Sequence, residues 1–252
     1  IPDEGDHEAL DNISRQGWDF KDDGSIRGEN PCEIVSSPLP WSQDSFTKVK
    51  NTMKIIREAG GQVNNSCGFH VHVEVPREWF TECNMGVFFS TLVRRYRDLE
   101  GYIDTLVPPS RRGNRNDYCH SLFNMRGDDF EDALEDMSQI HSFADYLGDF
   151  DRYFKLNLAA FARHGTVEFR HFGGTLNASK AVAWIKFCLA FVEAAYRHSL
   201  RTNPQHMSQE DWSNPYYLLA SRSATRYLTR RHEEAVATLA TTQAVANEPA
   251  NV

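Results

Sequence analysis

The sequence lacks the features that mark several common classes of protein. Its five cysteines are odd in number and include no C-x-x-C pair, which excludes a closed disulfide framework and a zinc-ribbon spacing. No run of 18 apolar residues occurs, and the first residues, IPDEGDHEAL, are too polar for a signal peptide. We therefore expect a protein of a reducing compartment, the cytoplasm, without a membrane partner.

Positive charge is also scarce. The 252 residues include 35 acidic and 27 basic ones, so the formal net charge is -8. This balance disfavours nucleic acid as a partner, although a local basic cluster can still bind phosphate. The hydrophobic share of 40% and the aromatic share of 12% are typical of globular proteins and argue against a disordered or fibrous chain.

No internal repeat and no long Gly/Ser-rich or Pro-rich linker divides the chain. We therefore predict a single domain over residues 1–230, followed by the end of a helix and a frayed tail over residues 231–252. Apolar periodicity predicts helices at 44–59, 84–106, 131–147, 178–200, 209–221 and 226–242, strands at 67–75 and 165–172, and a surface loop at 108–129.

The strongest local motif is a strand that carries two histidines, in the segment NNSCGFHVHVE. Its two-residue period places His70, His72 and Glu74 on one face and the valines on the other. Neutral imidazole binds metal ions and protonated imidazole binds anionic oxygens, so this face suits either task. A sheet whose open face is merely polar is the other interpretation.

The segment TVEFRH predicts a second strand of the same kind, with Glu168 and Arg170 on one face. Alone, such residues often form a simple ion pair. If both strands lie in one sheet, His70, His72, Glu168 and Arg170 converge, which places candidate metal ligands beside a fixed cation. Sites rich in oxygen favour Mg²⁺ or Mn²⁺, whereas several histidines favour Zn²⁺ or Fe²⁺.

Two weaker motifs add an acid and a basic cluster. Glu33, followed by Ile34 and Val35, predicts a short strand that delivers a carboxylate. The loop PPSRRGNRNDYC holds three arginines within five residues, and guanidinium groups suit anions with several oxygens. A solvated basic loop is the alternative. The three arginines are Arg111, Arg112 and Arg115.

The order of these motifs resembles the amidoligases of the glutamine-synthetase-like carboxylate–amine ligase superfamily. The resemblance covers about residues 20–195, and its most specific parts are CGFHVH and TVEFR. It implies an α+β fold, a glutamine-synthetase-like catalytic domain with a mainly antiparallel twisted sheet and flanking helices. The other matching segments are DGSI, CEIVSSPL, the Arg-rich loop ending in YC, and GTLN before a helix that carries Trp184.

The resemblance also implies a reaction, which is ATP-dependent amide bond formation through an acyl phosphate. The expected cofactors are ATP and Mg²⁺ or Mn²⁺, and the expected partners are a carboxylate and an amine, including peptide or protein groups. The implied metal ligands are Glu33, His70 and Glu168; the implied catalytic residues are Arg170, His72 and Glu168; and the implied nucleotide contacts are His72, Arg111, Arg112, Arg115 and Arg170.

One part of the family pattern is absent. Members usually begin with a strand of the form G-x-E-x-E, and the acidic residues near Ile1 lack its apolar alternation. We expect this strand either upstream of Ile1 or lost, and its loss would leave a nucleotide- or peptide-binding module without turnover. A cupin-like metal enzyme is a further alternative, with a third ligand among His120, His141, His164 and His171.

Overall fold

The computed structural model describes residues 7–81, 83–124, 147–148, 151–200 and 208–246. The chain divides into two compact units. The first comprises Ile1–Phe69 and Gly173–Trp184, and the second comprises His70–Phe172 and Ile185–Val252. Two compact units are compatible with one domain or with two, so the single domain over residues 1–230 stays a prediction.

Among its described residues, the first unit contains a two-stranded antiparallel sheet, two complete helices and the beginning of a third at Ala178. Strand β1 (Trp18–Lys21) pairs with β2 (Glu33–Ser36) so that Lys21 lies opposite Glu33. Helix α2 begins after Ser42, whose side chain accepts a hydrogen bond from the backbone N of Ser45 at 3.1 Å. The predicted strand at Glu33 and the predicted helix at 44–59 are confirmed. The elements are α1 (His7–Arg15), β1 (Trp18–Lys21), β2 (Glu33–Ser36) and α2 (Gln43–Glu58).

A close approach in this unit requires glycine. The backbone N of Gly174 donates to the carbonyl oxygen of Cys67 at 2.8 Å, and Gly68 forms a β-bridge with Gly173. A Cβ atom at Gly174 would lie 2.5 Å from Cβ of Cys67. Any other residue would therefore push the two chain segments apart.

The second unit is built around a three-stranded antiparallel sheet with the order β3-β5-β4. Val71 and Val73 are buried while His72 and Glu74 are exposed, so the predicted alternation along the histidine strand is confirmed. The strands are β3 (Val71–Glu74), β4 (Leu156–Asn157) and β5 (Thr166–Phe169).

Among the described residues, five helices belong wholly or partly to the second unit: α3 (Met85–Leu106), α4 (Ala159–His164), α5 (Ala178–Ser199, which crosses the unit boundary after Trp184), α6 (Gln209–Ser213) and α7 (Arg222–Ala246). Helix α3 buries the predicted apolar stripe, including Phe88, Leu92 and Tyr96. Arg95, expected off this stripe, is also fully buried, because residues after α6 contact the same helix.

Several predicted elements differ from the observed chain or lie outside the described residues. The strands predicted at 67–75 and 165–172 are shorter, at Val71–Glu74 and Thr166–Phe169, and the chain at Cys67 and Gly68 pairs instead with Gly174 and Gly173. The predicted helix at 209–221 ends at Ser213, because the next residues are Asn214 and Pro215, and proline disfavours helical backbone at the residue before it.

The predicted helix at 131–147 falls almost wholly outside the described residues. The helix predicted at 226–242 runs from Arg222 to Ala246, so the predicted helix end and tail over residues 231–252 are helical as far as Ala246 and lie outside the described residues beyond it. The loop from Pro108, as far as Asn124, contains two short 3₁₀ turns.

Helices combined with small antiparallel sheets confirm the α+β class. No helix within the described ranges is both long and apolar enough to cross a bilayer.

Candidate functional site

The register of the central sheet brings the two predicted motifs together. Strand β3 pairs with β5 so that His72 lies directly opposite Glu168. His70 precedes β3 and Arg170 follows β5, so all four side chains meet at one end of the strand pair. The expected convergence of His70, His72, Glu168 and Arg170 is confirmed by these positions.

The carboxylate of Glu168 is the centre of this cluster. Its Oε1 accepts a hydrogen bond from Nη1 of Arg170 at 2.7 Å, and Nδ1 of His70 lies 3.2 Å from the same oxygen. Nε2 of His72 lies 3.7 Å from that oxygen. Oε2 accepts a hydrogen bond from Nδ2 of Asn157 at 2.6 Å. Both oxygens of this buried carboxylate are therefore engaged by protein groups.

Burial alone would raise the pKa of Glu168, since a carboxylate loses its hydration in the protein. The hydrogen bond from His70 and the positive charge of Arg170 outweigh this effect and lower the pKa to about 2. The pKa of His72 is also lowered, mainly because desolvation disfavours the charged imidazole, against the pull of Glu168. At neutral pH the cluster therefore holds an ionised carboxylate and a neutral His72.

His72 differs from Glu168 in its access to solvent. Its side chain is 43% exposed, and its Nδ1 lies 2.9 Å from Oγ1 of Thr166. The ring of His164 meets it edge-on, with centroids 5.9 Å apart. The imidazole is thus oriented by its neighbours while one side remains open to a ligand.

Arg170 is held at four points. Its backbone N donates to the carbonyl oxygen of Lys155 at 2.8 Å, and its own carbonyl oxygen accepts from Nη1 of Arg111 at 3.1 Å. Its Nε donates to the carbonyl oxygen of Tyr118 at 3.2 Å, and Nη1 contacts Glu168. The guanidinium also lies 5.8 Å from the ring centroid of Tyr153.

The three arginines of the loop occupy different environments. Arg111 is 3% exposed, and Arg112 donates through Nε to the carbonyl oxygen of Val107 at the end of α3. Arg115 is exposed. Their assignment as nucleotide contacts stays a prediction, and Arg115 is the one whose side chain lies at the surface.

Glu33 lies on β2 of the first unit, whereas His70 and Glu168 belong to the second unit. Its side chain is partly exposed. Its role as a metal ligand stays a prediction.

The donor types in the cluster suit a metal ion, since two imidazoles and a carboxylate meet around Oε1 of Glu168. Their present arrangement does not fit one, because Arg170 binds the same oxygen at 2.7 Å. Within the described part of the chain, no group of three or more His, Cys, Asp or Glu side chains is arranged to hold a metal. As it stands, the cluster is a hydrogen-bonded ionic network.

The histidines expected as alternative third ligands are distributed differently. His171 is buried, and its Nε2 lies 2.7 Å from Oδ1 of Asp104. His164 is exposed beside His72, and the backbone of His120 bridges to Phe154. His141 lies outside the described residues. Among the described residues, no third histidine joins His70 and His72 on the carboxylate of Glu168, so the cupin-like alternative gains no support from them.

Several residues that contact the cluster were not predicted from the sequence, Asn157 and Tyr118 among them. Asn157 binds Glu168 from β4, and Tyr118 binds Arg170 through its backbone carbonyl. Asn157 interrupts an apolar segment, which is a detectable signal for a buried polar contact. A backbone carbonyl carries no sequence signal, since every residue has one.

A family model described as "Putative amidoligase enzyme" matches residues 3–192 of the chain. The comparisons with curated proteins and with solved structures give no match to the chain.

Proposed function

The chain belongs to the amidoligase family, whose model covers most of its length, and we propose that it is an ATP-dependent carboxylate–amine ligase. The proposal includes a glutamine-synthetase-like catalytic fold, an acyl-phosphate intermediate, and peptide or protein groups among the substrates. The observation that carries it is the convergence of Arg170, His70 and His72 on the buried carboxylate of Glu168.

The proposed reaction has two steps. A carboxylate oxygen of the substrate bonds to the γ-phosphorus of ATP, the bond from that phosphorus to the β,γ-bridging oxygen breaks, and ADP leaves. The amine nitrogen then bonds to the acyl carbon, phosphate leaves with the former carboxylate oxygen, and the nitrogen loses its proton to a base. Both steps develop negative charge on phosphate oxygens, which fixed cations and N–H donors stabilise.

Arg170 suits the role of phosphate ligand because its guanidinium is held by Glu168 and Tyr118 before any ligand arrives. A donor oriented in advance needs no reorganisation during the reaction. The neutral, partly exposed imidazole of His72 can donate one N–H to a phosphate oxygen. Glu168 acts in this proposal as the anion that fixes Arg170.

The proposal also includes Mg²⁺ or Mn²⁺ as the companion of ATP, with His70, Glu168 and Glu33 as the ligands that the family resemblance implies. In the observed arrangement, a metal ion would have to displace Arg170 or His70 from the carboxylate. We therefore assign no step of the reaction to the metal.

The proposal is tested by measuring ADP release with ATP and Mg²⁺ or Mn²⁺ across mixtures of amino acids, peptides and polyamines. Hydroxylamine in the same reactions should trap the acyl phosphate as a hydroxamate. Glu168→Gln and His70→Ala should each lower the rate by about 100-fold or more, the usual cost of removing one electrostatic partner. Glu74→Gln, an exposed carboxylate on β3, is the matched control and should leave the rate unchanged.

ATP binding without ADP release in any mixture would contradict the ligase and support a binding module instead. Normal turnover in Glu168→Gln would remove this cluster from the mechanism.

A further inference from the structure

A buried lysine lies behind the cluster. Lys155 is fully buried, and its Nζ donates to two carboxylates of α3, Oε1 of Glu100 at 2.8 Å and Oδ1 of Asp104 at 2.7 Å. The two acids are four residues apart and therefore lie on one face of the helix. One ammonium between two carboxylates leaves excess negative charge, which further donors must satisfy in a buried site.

The further donors come from the loop that follows α3. Oδ2 of Asp104 accepts from the backbone N of Gly113 at 2.9 Å, and Oε2 of Glu100 accepts from the backbone N of Leu122 at 3.0 Å. His171 adds a contact to Asp104, with its Nε2 2.7 Å from Oδ1. The two acids thus hold both ends of the segment from Gly113 to Leu122.

The same lysine contacts Arg170 directly through its backbone. The carbonyl oxygen of Lys155 accepts from the backbone N of Arg170 at 2.8 Å. The segment held by Glu100 and Asp104 contains Tyr118, whose carbonyl oxygen accepts from Nε of Arg170. Two of the four contacts that hold Arg170 therefore depend on Lys155 or on its partners.

We propose that Lys155, together with Glu100 and Asp104, is the positioning element of the site: it fixes the segment from Gly113 to Leu122 and thereby the direction of the Arg170 guanidinium. These residues touch no reacting atom. The inference rests on the proposed function only in treating Arg170 as a functional group, since the positions themselves are independent of any reaction.

The test uses the full chain and hydrogen exchange measured by NMR. Lys155→Met should speed exchange at the Gly113 and Leu122 amides and at the Arg170 Nε–H by at least about tenfold, relative to amides of α5 such as that of Phe191. Val192→Ala removes buried apolar atoms from α5 without touching the network. It should lower stability without this selective change.

A Lys155→Met protein whose Arg170 Nε–H exchanges as in Val192→Ala would overturn the proposal, because Lys155 would then be a stabilising residue only. If Lys155→Met does not fold, Glu100→Gln replaces it, since this change leaves Lys155 paired with Asp104. Exchange at Leu122 should then rise about tenfold while that at Gly113 stays within about twofold. If the exchange rates of the Gly113 and Leu122 amides rose by the same factor, Glu100 and Asp104 would not anchor the two ends separately, and the proposal would be refuted.

These measurements need no nucleotide and no substrate. A protein that releases no ADP with any substrate mixture would contradict the proposed ligase and leave the exchange result unaffected. Conversely, if Lys155→Met sped exchange equally at the Arg170 Nε–H and at the amides of α5, the positioning role would be overturned even in a protein that is an active ligase.

Discussion

Asn157 and Glu168 lie opposite each other on neighbouring strands, and Nδ2 of Asn157 donates to Oε2 of Glu168 at 2.6 Å. This contact satisfies one carboxylate oxygen from within the sheet and leaves the other directed to Arg170 and the two histidines. The amide thus determines which oxygen is presented to the cluster.

Replacing the amide of Asn157 with a carboxylate should turn its attraction to Glu168 into repulsion. In Asn157→Asp two carboxylates would be buried side by side, and the repulsion should raise the pKa of Glu168 well above its value of about 2. We expect ¹³C NMR of the labelled carboxyl to show this rise, together with a loss of stability at neutral pH. An unchanged carboxyl titration would show that the contact between the two side chains is absent in solution.

The low pKa of Glu168 predicts an acid dependence of stability. A carboxyl whose pKa falls from 4.5 to about 2 on folding stabilises the folded state above the unfolded value. That contribution disappears as the pH falls from about 5 towards 2, and its size is on the order of 3 kcal/mol. Urea unfolding at several pH values should show a smaller acid dependence for Glu168→Gln than for the wild type. Glu74→Gln, exposed on β3, should retain the full dependence.

Arg95 is a buried cation of a different kind from Lys155. Its Nη2 donates to the carbonyl oxygen of Asn214 at 2.8 Å, but Nε and Nη1 have no hydrogen-bond partner among the described residues. Burial lowers its pKa to about 10. Arg95→Met should therefore change the free energy of unfolding by less than about 1 kcal/mol, since an apolar chain of similar length avoids this desolvation.

Lys155→Met provides the contrast. It leaves the carboxylates of Glu100 and Asp104 without their shared cation, which should lower the free energy of unfolding by about 3–5 kcal/mol. Equal effects of the two substitutions in urea unfolding would contradict this distinction between the two buried cations.

The close approach at Gly174 predicts that even an alanine at this position lowers the stability of the protein. A methyl group would lie 2.5 Å from Cβ of Cys67, so Gly174→Ala should destabilise the protein by roughly 1–3 kcal/mol. Gly101→Ala is the matched control, because a Cβ there meets no atom within 4 Å and alanine favours helix α3. Urea unfolding should show a loss for the first variant and a gain of about 0.5–1 kcal/mol for the second.

Substitutions of two loop arginines should have different effects, one on the stability of the protein and the other on nucleotide binding. Arg112 donates to the carbonyl oxygen of Val107, the residue that follows α3, whereas Arg115 is exposed. Arg112→Ala should lower the melting temperature by a few degrees, as the loss of about 1 kcal/mol does. Arg115→Ala should leave the melting temperature unchanged and weaken nucleotide binding, measured by calorimetry. Unchanged affinity in Arg115→Ala would remove this side chain from the nucleotide site.

The core of the cluster could be predicted from the sequence because it follows from strand periodicity. Alternation along VHVE and TVEF assigns each side chain to a face, and antiparallel pairing then brings His72 opposite Glu168. The buried network could not be predicted in this way. Lys155 binds acids more than 50 residues away in sequence, and only the packing of the sheet against α3 brings them together.

The local sequence pattern also gave no prediction for a short strand, and it gave a wrong end for a helix that proline interrupts. Strand β1 reads WDFK, and its alternation does not continue into the residues on either side, whereas that of the histidine strand continues from Phe69 to Val75. The apolar pattern continues through Pro215 and therefore predicts a helix over 209–221. Proline disfavours helical backbone at the residue before it, so the helix ends at Ser213. Prediction of the roles of Glu33 and the loop arginines required the family resemblance, which carries no geometry.

The anchoring of the loop after α3 has a consequence for how its sequence can vary. Glu100 and Asp104 bind the backbone amides of Leu122 and Gly113, and such bonds do not depend on the side chains that the loop carries. The two helix residues anchor the ends of the segment, while Asn114 and Asn116 hold its interior by accepting from the backbone N of Ser121 at 2.7 Å and of Tyr118 at 2.9 Å. Substitution of the exposed Arg115 or Asp117 leaves all of these bonds in place, so the surface charge of the loop can change while its backbone keeps the same route.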